Sequence, residues 1–342
     1  MQSLIYRAPN VVGWEETAEP ALGDERAALV RPLAVALCDL DWLTVRGLTP
    51  FAPPFPFGHE GVARVASVGA AVSAVRPGDL VIVPFQISCA ECAMCARGLT
   101  GSCASVPVRN AMFGFGATGG DYGGMLSDLV RIPFADAMLV RVPHGVAAAT
   151  VASASDNIAD GYSRVAPFLA EHAGADVLVL GGLGASVGLY AAACAVALGA
   201  GRVDYVDTNA ERRVRAASAG AHVLEALPDR IRPSYPLVVD ASGSIGGLHA
   251  ALAATAIEGT CVVAAMYLGE TTPLPLYKMY IKGIRLVTGR VNARACIPGV
   301  LELVARGALR PEGITSQSVA WDDAPSAIAE GGQTKLVVTR AA

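Results

Sequence analysis

Charged residues are scarce in this chain of 342 residues, at 16% against 53% hydrophobic residues. A chain so poor in charge and rich in apolar residues buries a large core, which excludes intrinsic disorder. The 26 Lys and Arg residues are scattered and the net charge is −4, so no basic face for nucleic acid is expected. Internal repeats and low-complexity tracts are also absent. The length suits about two domains, each with its own core.

A signal peptide is lacking as well. The start, Met1–Arg7, has neither the charged n-region nor the apolar h-region of such a segment, which predicts a cytoplasmic protein. Val177–Gly201 has no charge over 25 residues, but glycines interrupt it after a short apolar run. This pattern predicts a buried strand, a turn and a buried helix, and no membrane span. In a reducing compartment, eight cysteines indicate thiolates and metal before disulfides.

The pattern of apolar residues divides the chain into three segments. Residues 1–155 are β-rich with many Gly and Pro turns, whereas 156–290 alternate between strands and helices. Alternation of this kind predicts a parallel α/β domain with helices on both faces of the sheet. Residues 291–342 return to a helix and a final strand, Lys335–Thr339, which we expect to pack on the first domain.

A metal-site pattern occurs at Gly58-His59-Glu60-Gly61, where an imidazole and a carboxylate share one tight turn. Imidazole nitrogen suits zinc, although a His in such a turn is often a surface residue. Cys38 precedes it by 21 positions, and a lone Cys in an apolar stretch is often only buried. Asp41 is placed to bond the far nitrogen of a ligating His59 and fix its tautomer.

Four cysteines form the most specific local pattern, Cys89-x2-Cys92-x2-Cys95-x7-Cys103. These spacings let one loop, 89–103, wrap a tetrahedral ion and leave no vacant position for chemistry. The pattern therefore predicts a structural zinc site, with two disulfides as the alternative.

A third ligand would complete a catalytic zinc site with Cys38 and His59, because such sites use three protein ligands and one open position. Asp156, at the junction of the first two segments, is the candidate. Its spacing fits an N-cap of the following helix equally well, so both interpretations stay open on spacing alone.

A nucleotide-binding turn is predicted after the run Val177–Leu180, where Gly182, Gly184 and Gly188 open a helix. Backbone N–H groups there would approach a pyrophosphate at the helix N-terminus. Asp207 ends the next strand 19 residues later, where a carboxylate accepts from ribose hydroxyls and repels a 2′-phosphate. NAD is favoured, but Arg212 and Arg213 keep NADP as an alternative.

Together these motifs resemble the zinc-dependent medium-chain alcohol dehydrogenase family, of the medium-chain dehydrogenase/reductase superfamily, over essentially the whole chain. The resemblance implies a GroES-like catalytic domain, 1–155, interrupted by a Rossmann NAD-binding domain, 156–290, with 291–342 returning to the first. It also implies roles for individual residues: Asp156 as the third ligand beside Cys38 and His59, Glu60 as a carboxylate that approaches the metal, Asp41 as the partner of His59, and Gly182, Gly184, Gly188, Asp207 and Arg212 as the cofactor site.

The activity implied is reversible hydride transfer between a small alcohol or aldehyde and NAD, with zinc holding the substrate oxygen as an alkoxide. Two zinc ions per chain and a homodimer or homotetramer are expected. Three departures from the family stand out: Leu40 replaces the usual Ser or Thr of the proton relay, Asp160 replaces a Thr, and the glycine turn has one extra residue. Our hypothesis is that Asp160 takes over part of the relay; the alternative is a helix cap or a pair with Arg164.

Two other functions are compatible with the sequence. One is a non-catalytic NAD- and zinc-binding redox sensor that uses the cysteine lobe. The other is an NADP-dependent aldehyde or enone reductase of the same superfamily. Turnover of alcohols and aldehydes with each cofactor would distinguish the three.

Overall fold

The computed structural model describes residues 1–106, 111–227 and 234–341. Two compact units account for the chain. One is formed by Met1–Ala159, Asn292–Ala305 and Thr315–Ala342, and the other by Asp160–Val291 and Arg306–Ile314.

The division differs from the predicted one mainly in the segment 306–314, which the sequence placed with the first domain. Within the second unit, Arg306 donates to the Ala197 carbonyl (3.2 Å). The carbonyl of Gly313 accepts from Arg215 (3.3 Å). These contacts depend on tertiary structure and leave no mark on the local sequence pattern.

The first unit is built on a seven-stranded sheet in the described residues, in the order β15-β16-β3-β5-β6-β8, with β7 also paired to β3. A smaller sheet has the order β2-β1-β4. The strands and helices of this unit are β1 Gln2–Ala8, β2 Val11–Glu16, β3 Ala28–Ala36, α1 Asp39–Val45, β4 Phe55–Pro56, β5 Glu60–Val68, β6 Leu80–Val83, α2 Ala93–Ala96, β7 Val130–Ile132, α3 Ala135–Met138, β8 Val140–Arg141, α9 Ala293–Ala305, β15 Gln317–Ala320, α10 Ala324–Glu330 and β16 Leu336–Thr339.

Strand β16 brings the end of the chain into this sheet, as expected for the final strand, Lys335–Thr339. It pairs antiparallel with the end of β3, Val337 opposite Ala36. The same end of β3 pairs with the start of β5, Ala36 opposite Glu60. Residues from three distant parts of the chain are therefore adjacent where β3 ends and β5 begins.

The second unit contains a six-stranded parallel sheet in the order β11-β10-β9-β12-β13-β14. The chain starts at β9 in the middle of the sheet, adds β10 and β11 on one side, and then adds β12, β13 and β14 on the other. This strand order is that of a Rossmann fold, which confirms the predicted doubly wound α/β domain. Helix α4, Asn157–Glu171, leads into this unit, and its further elements are β9 Val177–Leu180, α5 Ala185–Ala197, β10 Val203–Val206, α6 Ala210–Ser218, β11 His222–Leu224, β12 Tyr235–Asp240, α7 Ile245–Ala254, β13 Thr255–Val263, α8 Leu276–Lys282 and β14 Arg285–Val287.

The uncharged segment of the sequence forms β9 and α5. All four residues of β9 are buried, as expected of a parallel strand covered on both faces, and most of α5 is buried too. In the part of the chain that the structure describes, no helix is long and apolar enough to cross a membrane. The carboxyl ends of β9 and β10 carry Gly181 and Asp207 at one edge of the sheet, the edge where such folds bind ligands.

Candidate functional site

Helix α1 begins with a thiol as its cap. Cys38 accepts a hydrogen bond at Sγ from the backbone N–H of Leu40 (3.2 Å). Asp41, three positions on, accepts at Oδ2 from the backbone N–H of Cys38 (2.8 Å). This reciprocal arrangement is a capping box in which cysteine replaces the usual Ser or Thr. It holds the buried thiol in place and leaves the second oxygen of Asp41, Oδ1, outside the cap.

That second oxygen faces His59, which lies between two aspartates. Nδ1 of His59 is 3.3 Å from Asp41 Oδ1, and Nε2 is 3.3 Å from Asp156 Oδ2. The contact between Asp41 and His59 does not satisfy hydrogen-bond geometry. Asp41 Oδ1 and His59 Nδ1 are therefore both buried without a hydrogen-bond partner. Gly58 turns the chain just before His59 with φ +89°, and a Cβ there would lie 3.0 Å from the Leu126 side chain. Glycine is therefore required for the position of the imidazole.

Asp156 follows the 3₁₀ turn Ala149–Ser155 and directly precedes α4. Besides its contact with His59, its Oδ2 accepts from Nδ2 of Asn157 (2.9 Å). The carboxylate thus points towards the imidazole in the interior of the unit, in the direction that a ligand role requires.

Four donor groups converge at this point. One ligand atom from each of Cys38, His59, Glu60 and Asp156 lies within 4.8 Å of all the others, and all four residues are buried. A thiol, an imidazole and carboxylates are a donor set that suits zinc. The residues present therefore fit a zinc ion.

Glu60 is held by a cation from the other end of the chain. Lys335, fully buried, donates from Nζ to Oε1 (2.7 Å) and Oε2 (2.9 Å) of Glu60 and to Oδ1 of Asn157 (2.8 Å). The hydroxyl of Ser153 donates to Glu60 Oε2. Burial raises the pKa of Glu60 to about 7, against the opposing charge of Lys335. Glu60 thus belongs to the donor cluster, and two residues, Lys335 and Ser153, hold its carboxylate by three hydrogen bonds.

The thiol and imidazole of the cluster influence each other. Burial raises the pKa of Cys38 far above its ordinary value, and the charge of Asp41 adds to that. Burial lowers the pKa of His59, but the charges of Asp41 and Cys38 outweigh it and raise the pKa well above the ordinary value. A metal would bind this site in competition with protons, because ligands must lose them.

The predicted cysteine lobe forms a second cluster. The sulfur atoms of Cys89, Cys92, Cys95 and Cys103 lie within 4.8 Å of one another. None of the eight cysteines forms a disulfide in the structure, in contrast to the alternative of two disulfides. Backbone N–H groups of Ala104 and Cys95 lower the pKa of Cys92 to about 6, which favours a thiolate. Four sulfur donors at this separation fit a tetrahedral ion.

The glycine turn after β9 is closely packed. A Cβ on Gly182 would lie 2.5 Å from the Ser242 carbonyl oxygen, and one on Gly188 would lie 3.0 Å from the Ala241 side chain. Gly184 precedes α5, and no side chain caps that helix. A helix start that no side chain caps, beside glycines whose backbone is closely packed, fits the pyrophosphate of a dinucleotide.

Asp207 follows β10 and is engaged on both oxygens. Oδ2 accepts from the Tyr205 hydroxyl (2.8 Å) and lies 3.3 Å from Nε of Arg212, and Oδ1 accepts from the Asn209 backbone N–H (2.8 Å). Arg212 also donates to the Gly182 carbonyl (2.6 Å).

The other arginine considered for a 2′-phosphate, Arg213, also has partners within the protein. It donates to the Asp207 carbonyl (2.7 Å) and lies 3.6 Å from a carboxylate oxygen of Glu225. In this structure both arginines of the NADP alternative are therefore paired.

Asp160 lies in the first turn of α4 and forms an ion pair with Arg164, one helical turn on. The Ser163 hydroxyl is 3.5 Å from its Oδ1, and Arg164 also donates to the Gly289 carbonyl (3.0 Å). A pair with Arg164 was the predicted alternative to a relay role for Asp160, and the structure contains this pair. The relay role itself stays a prediction.

The partners of Glu60 and Asp207 were not predicted from the sequence. Lys335 was placed only at the start of the final strand, and no role was predicted for Ser153, Asn157 or Tyr205. One signal was present: Lys335 directly precedes an apolar strand, and a lysine that is buried in such a place needs an acceptor. The identity of that acceptor depends on the pairing of distant strands.

Two domain-family models match the chain. The model described as an alcohol dehydrogenase GroES-like domain matches residues 24–144, and the one described as a zinc-binding dehydrogenase matches residues 186–306. A probable zinc-binding alcohol dehydrogenase of Mycobacterium tuberculosis is 28% identical over 333 residues, which cover 95% of this chain and 83% of that protein.

Two solved structures of dehydrogenases are similar to this chain over nearly its whole length. An alcohol dehydrogenase from Thermus sp. ATN1 is 28% identical with a TM-score of 0.90, and both chains are covered completely, at 100%. A protein assigned as a zinc-binding dehydrogenase of Sinorhizobium meliloti 1021, bound to NADP, is 21% identical with a TM-score of 0.82, and 99% of this chain and 98% of that chain are covered. This last likeness shows the fold alone. Because both domain models match in the order in which the two units occur, the chain belongs to the zinc-type dehydrogenases of the medium-chain dehydrogenase/reductase family.

Proposed function

We propose that this protein is an NAD-dependent alcohol dehydrogenase, which transfers a hydride reversibly between a small alcohol or aldehyde and NAD. The observation that carries this proposal is the buried convergence of Cys38, His59 and Asp156. The relatives from Mycobacterium tuberculosis and Thermus, each 28% identical to this chain, are named as alcohol dehydrogenases, which supports the same reaction class.

The chain offers ligands for two zinc ions. Cys38, His59 and Asp156 would hold the catalytic one, and three protein ligands leave a position for substrate. The cysteine lobe, 89–103, would hold a structural one, because four thiolates fill a tetrahedral site. When bound at the first site, zinc supplies Lewis-acid stabilisation of the negative charge that develops on the substrate oxygen.

Two carboxylates support the catalytic ligands. Asp41, anchored by the Cys38 backbone, faces the far nitrogen of His59 and orients the ring. Glu60 belongs to the donor set, and Lys335 holds it by both oxygens. A carboxylate tethered in this way would supply negative charge beside the three ligands.

The hydroxyl proton of an alcohol substrate must leave as the hydride moves. Leu40, next to the cluster in sequence, neither donates nor accepts a proton, so the usual first hydroxyl of the relay is missing. A positioned base contributes about 10²- to 10⁴-fold, so its loss slows catalysis without abolishing it. Asp160 is the residue that we propose to contribute to this proton transfer.

NAD is the cofactor that the second unit favours. Gly182, Gly184 and Gly188 shape the turn, and Asp207 presents a carboxylate at the end of β10 for ribose hydroxyls. Arg212 pairs with that carboxylate and lies at the edge of the turn, where it would contact the nucleotide. The negative charge of Asp207 would repel the 2′-phosphate of NADP.

We also propose a cytoplasmic homodimer or homotetramer. Eight cysteines without a disulfide suit a reducing compartment. Helix α8 exposes apolar side chains and precedes the edge strand β14 in the chain, and exposed apolar side chains and sheet edges are typical of subunit contacts. The exposed large hydrophobic residues of α8 are Leu276, Tyr277, Tyr280 and Ile281. Light scattering of the purified chain would give its mass in solution.

The test is a turnover screen of primary and secondary alcohols and the matching aldehydes with NAD, NADP and their reduced forms. We expect turnover with the NAD pair, and its loss in Cys38→Ala with the fold retained. Binding of zinc and NADH without any turnover would instead favour the redox sensor. Turnover of aldehydes or enones with NADPH alone would favour the reductase.

A further inference from the structure

A buried tyrosine lies below the carboxylate that faces the nucleotide site. Tyr205 belongs to β10, a central strand of the parallel sheet, where it pairs with Val179 and Val223. Its side chain is fully buried. Asp207 is two positions further on, and side chains two positions apart in a strand lie on the same face. The Tyr205 hydroxyl therefore reaches Asp207 Oδ2 at 2.8 Å.

The first glycine of the turn makes room for this contact. A Cβ on Gly181 would lie 2.5 Å from the Tyr205 hydroxyl oxygen and 2.3 Å from Asp207 Oδ2. A Cβ on Gly188 would lie 3.8 Å from the Tyr205 ring. The phenol and the carboxylate thus occupy the space directly beside the turn, and only glycine at 181 leaves that space open.

The three groups that contact the Asp207 carboxylate, two hydrogen-bond donors and one arginine, differ in accessibility. Arg212 lies near the surface, with 18% of its side chain exposed, and its contact at 3.3 Å is the longest. The Asn209 N–H belongs to the loop before α6. Tyr205 alone approaches from the buried sheet, so no ligand at the surface can displace it.

We propose that Tyr205 is a positioning residue for nucleotide selectivity: it fixes the orientation of the Asp207 carboxylate, so that the acceptor sites left open face the ribose of NAD. This inference rests on the proposed function, because it assumes a nucleotide at the glycine turn. Ribose hydroxyls need acceptors at defined positions, whereas the repulsion of a 2′-phosphate needs only the negative charge. Removing the phenol hydroxyl leaves the charge and loosens the geometry, so it should weaken NADH and leave NADPH unchanged.

A purely structural role predicts something different. A buried hydroxyl needs an acceptor, and Asp207 provides one. If the hydrogen bond served only that purpose, its loss would lower stability without changing the ratio of the two nucleotide affinities.

The experiment compares Tyr205→Phe with Tyr235→Phe in the zinc-loaded protein. Tyr235 is a matched control, because its hydroxyl donates to Asp204 (2.6 Å) in the same sheet, and Asp204 lies in β10 away from the carboxyl end that carries Asp207. Dissociation constants of NADH and NADPH are measured by titration calorimetry, and thermal midpoints are recorded alongside. We expect Tyr205→Phe to raise the Kd of NADH about 3- to 10-fold, the loss of roughly one well-placed hydrogen bond, with NADPH unchanged. Tyr235→Phe should leave both affinities unchanged.

Gly181→Ala is a second variant, and it serves if Tyr205→Phe does not fold. Its Cβ would displace the phenol and carboxylate from the other side, so it should shift the affinity ratio in the same direction. An unchanged ratio in the folded variants, with NADH still preferred, overturns the positioning role and leaves the proposed function intact. A protein that prefers NADPH before any substitution overturns both.

Discussion

Lys335 donates hydrogen bonds to both carboxylate oxygens of Glu60, although the two residues are 275 positions apart in the chain. Both side chains are fully buried, so neither charge has solvent to stabilise it. Strand β16, which follows Lys335, pairs with β3, and β3 pairs with the start of β5 at Glu60. The C-terminal segment therefore supplies a charge that the candidate metal cluster requires, as well as a strand of the sheet.

The ion pair leads to a prediction about stability. Replacing Lys335 with Met leaves Glu60 as an uncompensated buried acid, and removing one partner of a buried pair costs about 3 to 5 kcal/mol. We expect a loss of this size in urea denaturation at neutral pH. The double variant Lys335→Met with Glu60→Gln should recover much of the loss, because it removes the orphaned charge. A loss below about 1 kcal/mol in the single variant would contradict this account.

Zinc content distinguishes the two clusters. Elemental analysis of the unaltered protein should give two zinc ions per chain. Cys38→Ala should lose one ion and nearly all activity while retaining its fold, whereas Cys92→Ala should lose the other and unfold more readily. Structural zinc contributes about 10 to 16 kcal/mol in small peptides, comparable with the stability of a whole domain.

A matched control for both variants is Cys296→Ala, since Cys296 is half-buried in α9 and belongs to neither cluster. It should keep both ions. Finding one ion or none in the unaltered protein would exclude the ligand assignment.

How far the sequence predicts this molecule depends on the range of each interaction. The cysteine lobe, 89–103, and the glycine turn after β9 are local, because neighbouring residues form each of them. Their spacing alone indicated their chemistry. The parallel fold of the second unit also follows from a local rhythm of strands and helices, and the strand order confirms it.

Two features of the site were not predictable from the sequence. The capping box between Cys38 and Asp41 is local, but a cysteine as the capping residue is not a pattern that distinguishes the start of a helix. The anchoring of Glu60 by Lys335 requires β16, β3 and β5 to be adjacent, and spacing along the chain carries no information on that. Burial decides such cases, because a buried charge must find its partner wherever the fold brings one.

Cofactor preference is predicted to depend on Asp207. Replacing Asp207 with Ser removes the acceptor for ribose hydroxyls and the charge that opposes a 2′-phosphate. We expect kcat/KM with NAD to fall by about 10-fold or more and kcat/KM with NADP to rise, since a hydrogen bond to a charged group is worth about 1.5 to 3 kcal/mol. Steady-state kinetics with both cofactors would show this, and an unaltered protein that already prefers NADP would refute it.

Stability at acidic pH should depend on Asp204. Burial alone would raise the pKa of this carboxyl, but hydrogen bonds from Arg202, Tyr235 and His222 hold it below its ordinary value. A carboxyl with a depressed folded-state pKa stabilises the fold above the unfolded pKa, and this contribution is lost as the pH falls through the folded pKa. Asp204→Asn should therefore be less stable than the unaltered protein at pH 7, and the gap should close in acid. If the difference in unfolding free energy between the two proteins is the same in acid as at pH 7, the prediction is wrong.

The last prediction concerns proton transfer by Asp160. Asp160→Asn should lower kcat for alcohol oxidation by about 10-fold or more and remove one ionisation from its pH profile, with zinc content and NADH affinity unchanged. The ion pair with Arg164 provides the control, since Arg164→Gln breaks the same pair from the other side. Both variants should lose similar stability, because each removes one partner of that pair, but only Asp160→Asn removes the carboxylate that we propose to exchange a proton with substrate. If the two variants show the same pH profile as the unaltered protein, Asp160 serves the helix through Arg164, and bulk water accepts the proton.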